Sequence, residues 1–223
     1  RFKAQLMEQT SLLMDEDIQA IIDQSMTIYN KLDDFIFIME TPPDNIDTSY
    51  LEAFKNIDYY FSSVLQTNNK IDGISLISMD GKIKYHVDRQ FGDFSLKTFS
   101  EEAWFQQTLD LKGLPLLREP HLNDLIHAKH IGQIPVISIS RTLLDLRSLD
   151  NPPFGILVMD YNVANLQKSI MKAVQTDESE QLIIMGKNDD IIFNSKSHND
   201  NLNIQIAKRM TEGSSGSFKT TID

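Results

Sequence analysis

The side chains best suited to chemistry lie between residues 104 and 160. His121, Asp124, His127 and His130 fall close together. Two imidazoles at helical spacing with a carboxylate can bind zinc. The same segment holds Pro120, Gly132 and Pro135, shows no helix period and lacks a His-Glu-x-x-His arrangement. It therefore reads as a solvated loop without a metal. A long irregular segment of this kind is also suited to cover a pocket, with His121 and Asp124 as its contacts.

Further on, Ile137-Ser138-Ile139-Ser140-Arg141 and Phe154-Gly155-Ile156-Leu157-Val158-Met159-Asp160-Tyr161 read as two strands. Alternation puts Ser138 and Ser140 on one face of the first, and Ile156, Val158 and Asp160 on one face of the second. An acid ending an apolar face is costly unless something satisfies it. Asp160 either accepts hydrogen bonds from a polar ligand, such as a sugar hydroxyl or an amine, or caps a helix beginning near Val163. Ser138 and Ser140 are either ligand contacts or plain strand residues. Trp104 is the single tryptophan. It either walls a pocket and donates its indole N–H, or anchors a core. Arg141 falls on the strand face opposite Ser140 and reads as the partner of a loop acid.

Several chemistries are absent. There is no nucleophile elbow, P-loop or dinucleotide glycine fingerprint, and the 9 glycines do not cluster as a phosphate cradle needs. Cysteine is absent, which removes disulfides, thiolate metal sites and cysteine nucleophiles. The chain is therefore not expected to be an enzyme, and no cofactor is expected. With 21 Lys+Arg against 32 Asp+Glu the formal charge is −11, which argues against a nucleic-acid partner and against a basic membrane-docking face. The 41% hydrophobic content over 223 residues supports a real core, and no apolar run approaches a membrane span.

The elements that must position these residues follow from periodicity. Residues 5–39 read as one long helix, with a heptad seam at Ile18, Ile22, Ser25, Tyr29, Leu32, Ile36 and Met39. Such a helix either packs across the molecule or pairs with a second copy as a dimer stalk. Residues 48–66 form a second helix with Leu51, Phe54, Ile57, Phe61 and Leu65 on one side. Gly73–Ser78 and Lys82–Val87 make a hairpin about Asp80-Gly81. A helix opens at Ser100-Glu101-Glu102, carries Trp104, Phe105 and Leu109, and ends at Gly113. Residues 114–133 have no clear period, and strands follow at Ile134–Thr142 and Phe154–Asn162. After a helix at 163–175, a second hairpin (Gln181–Met185, Ile191–Ser195), a helix at 200–212 and a strand at Ser217–Ile222 echo the first unit, as an incomplete internal repeat would.

The long helix, Gly73–Val87, the Trp104-Phe105 helix with its Gly113 end, and Ile137–Asp160 together carry a resemblance. The chain is similar to double Cache domains, the extracytoplasmic sensor regions of bacterial receptors, and among them to ectodomains of sensor histidine kinases common in Firmicutes. The resemblance implies an α+β fold, a long N-terminal helix followed by two PAS-like antiparallel-sheet units, the second incomplete. The corresponding division is 1–66 for the two helices, 67–175 for the membrane-distal unit and 176–223 for the membrane-proximal unit. Both chain ends then read as cuts in a longer receptor, with transmembrane helices and a kinase outside the sequence.

One branch of that family holds amino acids through a motif of Tyr, then Arg, then Trp-Tyr, with later Tyr and Asp residues. Here Trp104 is kept, Phe105 replaces the Tyr, and Asp160 matches the last acid. The Arg position, two before the tryptophan, is Glu102, and the Tyr position is Lys97. A glutamate repels an amino-acid carboxylate, so the resemblance implies a sensor but not the amino-acid subtype.

The expected function is an extracellular sensing domain that binds a small polar solute (sugar, amine or carboxylate) in the distal unit and signals through the long helix. The ligand contacts are Trp104, Phe105, His121, Asp124, Ser138, Ser140 and Asp160. The alternative is a ligand-free interaction module that meets a second copy through the long helix, or a partner such as a solute-binding protein. A chemoreceptor or diguanylate cyclase ectodomain would have the same fold with a different output.

Overall fold

The computed structural model describes residues 15–16, 18–42, 45–89, 93–118, 121–127, 135–163, 165, 168, 183–185 and 191–194. The chain divides into two compact units, Arg1–Leu166 and Gln167–Asp223.

The first unit opens with helical backbone at 18–26. The expected single α-helix is interrupted by a 3-10 stretch at Thr27–Lys31, and α1 then runs from Leu32 to Glu40. Asp33 and Asp34 in its first turn suit the positive end of the helix. The buried stripe also differs from the expected seam. Ser25, Ile36 and Met39 are buried as expected, but Ile21, Ile28, Phe35 and Ile38 are buried too, while Ile18, Ile22, Tyr29 and Leu32 are half-exposed. α1 is covered by both a second helix and the sheet, so its apolar arc is wider than a two-position seam. Within these residues the helix packs on its own core.

Helix α2, Thr48–Thr67, is capped by Asp47, whose carboxylate accepts from the Tyr50 N–H at 2.9 Å. It buries Ala53, Ile57, Phe61, Val64 and Leu65, and leaves the expected core residue Leu51 exposed. Phe35 of α1 packs on Phe61 at 5.3 Å between centroids.

Strands β1 (Ile71–Ser78) and β2 (Ile83–Asp88) form the first hairpin. Short β3 (Asp93–Phe94) precedes α3, Ala103–Asp110. Helix α3 starts later than expected. Glu102 occupies the N-cap without a side-chain cap bond, because Phe99–Glu102 first makes a turn. Gly113, at φ +89°, follows the helix as expected. The aperiodic stretch contributes three two-residue strands, β4 (Leu116–Leu117), β5 (His121–Leu122) and β6 (Ile126–His127). β7 (Pro135–Leu144) and β8 (Pro153–Asn162) complete the main sheet.

That sheet is antiparallel, in the order β2-β1-β8-β7-β4, with β5 also on β7. β1 therefore pairs with β8 across a long sequence separation. β1 is buried throughout and β8 at all but its two end residues, since the sheet is covered on two sides. On one side Tyr85 meets Phe54 and Phe61 of α2 at 5.4 Å each. On the other, Ile77, Ile156 and Val158 pack with Phe99, Phe105 and Leu125.

In the second unit, β9 (Ile183–Met185) pairs antiparallel with β10 (Ile191–Asn194), as the second hairpin requires. The expected helix at 200–212 and strand at Ser217–Ile222 lie outside the described residues. Of the expected helix at 163–175, residues 163, 165 and 168 are helical and the rest lie outside the described residues.

Candidate functional site

Register decides which residues meet. One cross-strand row reads Asp88 on β2, Gly73 on β1, Asp160 on β8 and Ser138 on β7. The next row reads His86, Ser75, Val158 and Ser140, with Leu116 of β4 beyond it. Moving along the strands from the first row, this face changes from polar to the apolar cluster beneath α3.

Asp160 is 1% exposed and stands at the centre of the polar end. Ser138 Oγ donates to its Oδ1 at 2.5 Å, and Asn123 Nδ2 donates to its Oδ2 at 2.9 Å. Burial pushes its carboxyl above the ordinary value, opposed by the Ser138 hydrogen bond and by charge on Arg118, His121 and His86. His121 Nε2 lies 3.2 Å from Ser138 Oγ, so the β5 imidazole shares that hydroxyl. Asp160 is held by strand and loop donors rather than acting as the cap of the helix that follows.

Beside it, His86 Nε2 meets Asp88 Oδ2 at 2.9 Å and its Nδ1 meets Ser75 Oγ at 2.8 Å. Both side chains of that pair are nearly inaccessible, at 3% and 2% exposure. Gly73 lies between the two acids. A β-carbon there would stand 3.5 Å from Asp88 Cβ and 3.7 Å from Asp160 Oδ2. The missing side chain thus leaves a methyl-sized space between the carboxylates.

The third group forms the wall. The Arg118 guanidinium lies over the Trp104 ring at 4.2 Å and reaches Asp124 at 3.4 Å. The Arg118 backbone N–H donates to Ser138 O at 2.8 Å, which ties this wall to the Asp160 row. Trp104 Nε1 and Arg118 Nη1 are both buried without a hydrogen-bond partner. Trp104 also packs on Phe99 and Phe105 at 5.9 and 5.8 Å.

The expected site residues thus divide. Asp160, Ser138 and His121 form one bonded cluster, and Trp104 and Asp124 join through Arg118. Phe105 and Ser140 stand apart from them. Phe105 is a fully buried core residue under α3, and Ser140 Oγ lies 2.6 Å from Thr108 Oγ1, pinning α3 to the sheet. Lys97 and Glu102, at the family's Tyr and Arg positions, pair with each other. Arg141 does not find the expected acid: it is 5% exposed, and its Nε and Nη1 have no partner. His130 lies outside the described residues.

Sequence reasoning missed His86, Asp88, Gly73, Ser75, Asn123 and Arg118. The first two were findable, since the alternation used for Asp160 places His86 and Asp88 together opposite Tyr85 on β2. Asn123 and Arg118 lie in the aperiodic stretch and carry no such signal. A separate cavity of about 410 Å³ lies at the opposite end of the strands, lined by Met39, Ser78, Lys84, Pro153 and Phe154.

No protein-family model matches the chain, and no curated protein matches it in sequence. Solved structures do. The extracellular domain of the histidine kinase designated vpHK1S-Z8 aligns with a TM-score of 0.61 at 14% identity, covering 97% of this chain and 86% of that one. The ligand-binding domain of the Campylobacter jejuni chemoreceptor Tlp3, in complex with L-norvaline, aligns at 0.51 and 15% identity, covering 87% and 71%. That of the Pseudomonas aeruginosa amino-acid chemoreceptor PctC, in complex with GABA, aligns at 0.51 and 12%, covering 91% and 79%. The fold is that of Cache-type sensory domains. In this Cache-type fold Asn123 and Leu125, between β5 and β6, lie against the sheet face that carries Asp160, and Arg118 ties the Trp104 wall to the same row. Among the described residues no helix is long and apolar enough to cross a membrane.

Proposed function

We propose that this chain is the extracellular sensing domain of a bacterial receptor and binds a small polar solute at the polar end of the β1–β8 face. The observation that carries this reading is Asp160. A carboxyl 1% exposed, gripped by a strand serine and a loop asparagine, joins the sheet to the covering segment through one group. A solute that replaced either donor would pull on both elements at once. Trp104, Arg118, His121, Asp124, Ser138 and Asp160 line the site, with Gly73 giving room beside the acid and Phe105 and Ser140 backing it.

Signalling would pass through the opposite side of the sheet. Met39 of α1 meets Gly155 on β8, the strand that carries Asp160, so a shift of β8 is felt by the helix. Swinging a two-state switch from 1:99 to 99:1 needs a state preference of about 5.5 kcal/mol, within reach of a few buried hydrogen bonds and ring contacts. Of the three similar structures described, the one most fully covered is a histidine-kinase ectodomain, and this supports a kinase as the output.

A thermal-shift screen of sugars, amines, carboxylates, amino acids and short peptides tests the proposal. At least one class is expected to raise Tm saturably, and the shift is expected to vanish in Asp160→Ala. If no class shifts Tm, or if Asp160→Ala responds like the parent, the reading fails.

A further inference from the structure

The chain Ser75–His86–Asp88 has no part in the solute site described above, yet it is closed to solvent. The His86 and Asp88 side chains are 3% and 2% exposed, and Ser75 is fully buried. The partners fix the roles of the ring nitrogens. Nε2 donates to Asp88 Oδ2 at 2.9 Å, which leaves Nδ1 of a neutral ring to accept from the Ser75 hydroxyl at 2.8 Å. An imidazolium donates from both nitrogens. A proton bound at Nδ1 therefore turns the Ser75 hydroxyl from donor to acceptor without moving the ring. Imidazole is the side chain suited to change charge between about pH 5 and 8.

A second proton acceptor stands close by. Gly73 places no side chain between Asp88 and Asp160, and charge on His86 acts on the Asp160 carboxyl. That coupling is reciprocal: a positive ring favours the ionised acid, and an ionised acid favours the positive ring. With neither protonated, two buried carboxylates flank the glycine, and one added proton removes that repulsion. The other charged groups facing the cluster are His121 on β5, whose Nε2 lies beside the Ser138 hydroxyl, and Arg118, which is paired with Asp124. β1 and β7 bring only glycine and serine to these two rows. Asp93 and His127 are in register on β3 and β6.

The charge of the cluster reaches the Trp104 wall by two routes. Arg118 feels the Asp160 charge directly, and its backbone N–H is held by the carbonyl of Ser138, whose hydroxyl donates to Asp160. The Arg118 guanidinium in turn covers the Trp104 ring.

We propose that His86, Asp88 and Asp160 form a proton-sensing site. On mild acidification the cluster takes up one proton, shared between the His86 ring and the Asp160 carboxyl, and the change of charge resets the Trp104–Arg118 wall. The domain then responds to acidity with no solute bound. The inference stands on the bonded cluster and not on the solute reading, and its test needs no solute.

The intact chain is titrated from about pH 8 to about pH 5 while the emission of Trp104, the single tryptophan, is followed. A one-proton transition is expected. The His86 ring nitrogens, followed by NMR, should titrate over the same range. In Asp160→Asn that ring titration is expected to move to lower pH, because a facing negative charge is lost. In the double variant His86→Gln/Asp160→Asn the emission transition should disappear while the circular dichroism of the fold is kept. A parent with no emission transition would overturn the proposal, as would ring nitrogens that do not titrate in this range. An unmoved ring titration in Asp160→Asn, or a transition that survives in the double variant, would overturn it too. If the double variant does not fold, the ring titrations of the parent and of Asp160→Asn decide the matter.

Discussion

Ser138 and Asp160 are direct cross-strand partners on β7 and β8, and the serine hydroxyl donates to the buried carboxyl at 2.5 Å. The pair occupies the point where an apolar sheet face becomes polar, so a removed donor there is not replaced by water at no cost. Ser138→Ala is expected to destabilise the domain by about 1–3 kcal/mol at neutral pH, read from urea denaturation midpoints. Asn123→Ala should cost at least as much, because Asn123 Oδ1 also accepts from the Leu125 N–H at 3.0 Å. Unchanged midpoints in both variants would mean that Asp160 is not held by these donors.

Asp160 also sets a pH dependence. Its folded carboxyl binds a proton more tightly than the unfolded one, because burial dominates. A group with a raised folded pKa contributes its stability in full below the unfolded value, about 4, and loses it as pH rises through the folded value. Asp160→Asn keeps the shape without titrating. The stability advantage of the parent over Asp160→Asn should therefore shrink from pH 4 upward to pH 7. A difference that stays flat or grows over that range contradicts the assignment.

Helix-to-sheet contact can be tested at Gly155. A β-carbon there would stand 2.1 Å from Met39 Cε and 2.9 Å from Ile77 O. Gly155→Ala is expected to cost about 1–3 kcal/mol through overpacking. Met39→Ala removes the flexible half of the clash, so the double variant should lose less than the sum of the single ones, by about 0.5 kcal/mol or more. Strict additivity in denaturation would show that α1 and β8 are not coupled at this contact.

The hairpin turn is tied to the segment before α3. Gly81 has φ +82°, its carbonyl accepts from the Phe99 N–H at 2.8 Å, and a β-carbon would meet Ser100 N at 2.2 Å. Here both the backbone angle and the space demand glycine. Gly81→Ala should cost about 2 kcal/mol or more by calorimetry, with a larger effect than Ala at Gly73, where the added methyl finds ordinary contact distances.

Much of the architecture was legible from local pattern. Alternation located β1, β2, β7 and β8 to within a few residues, Gly81 and Gly113 marked their turn and helix end, and the stripe Ile57, Phe61 and Leu65 located the core face of α2. Alternation also put Ser138 and Asp160 on faces that could meet. Legibility failed where burial depends on neighbours distant in sequence. The seam of the first helix was misjudged because both α2 and the sheet cover α1. Ser140 looked equivalent to Ser138, yet α3 lies over it and Thr108 binds it.

What the sequence alone determined is the existence of the long strands and helices and the faces of the strands, because periods of 2 and 3.6 residues are written into consecutive side chains. The absence of cysteine and the charge of −11 likewise follow from composition. What only the tertiary structure decided is which ends come together. β1 pairs with β8, and this brings Gly73 and the His86–Asp88 pair to Asp160. The aperiodic segment then delivers Arg118 and Asn123 from positions with no pattern of their own. Long-range pairing and loop closure are selected by the total packing of the core, and no local stretch of sequence encodes that sum.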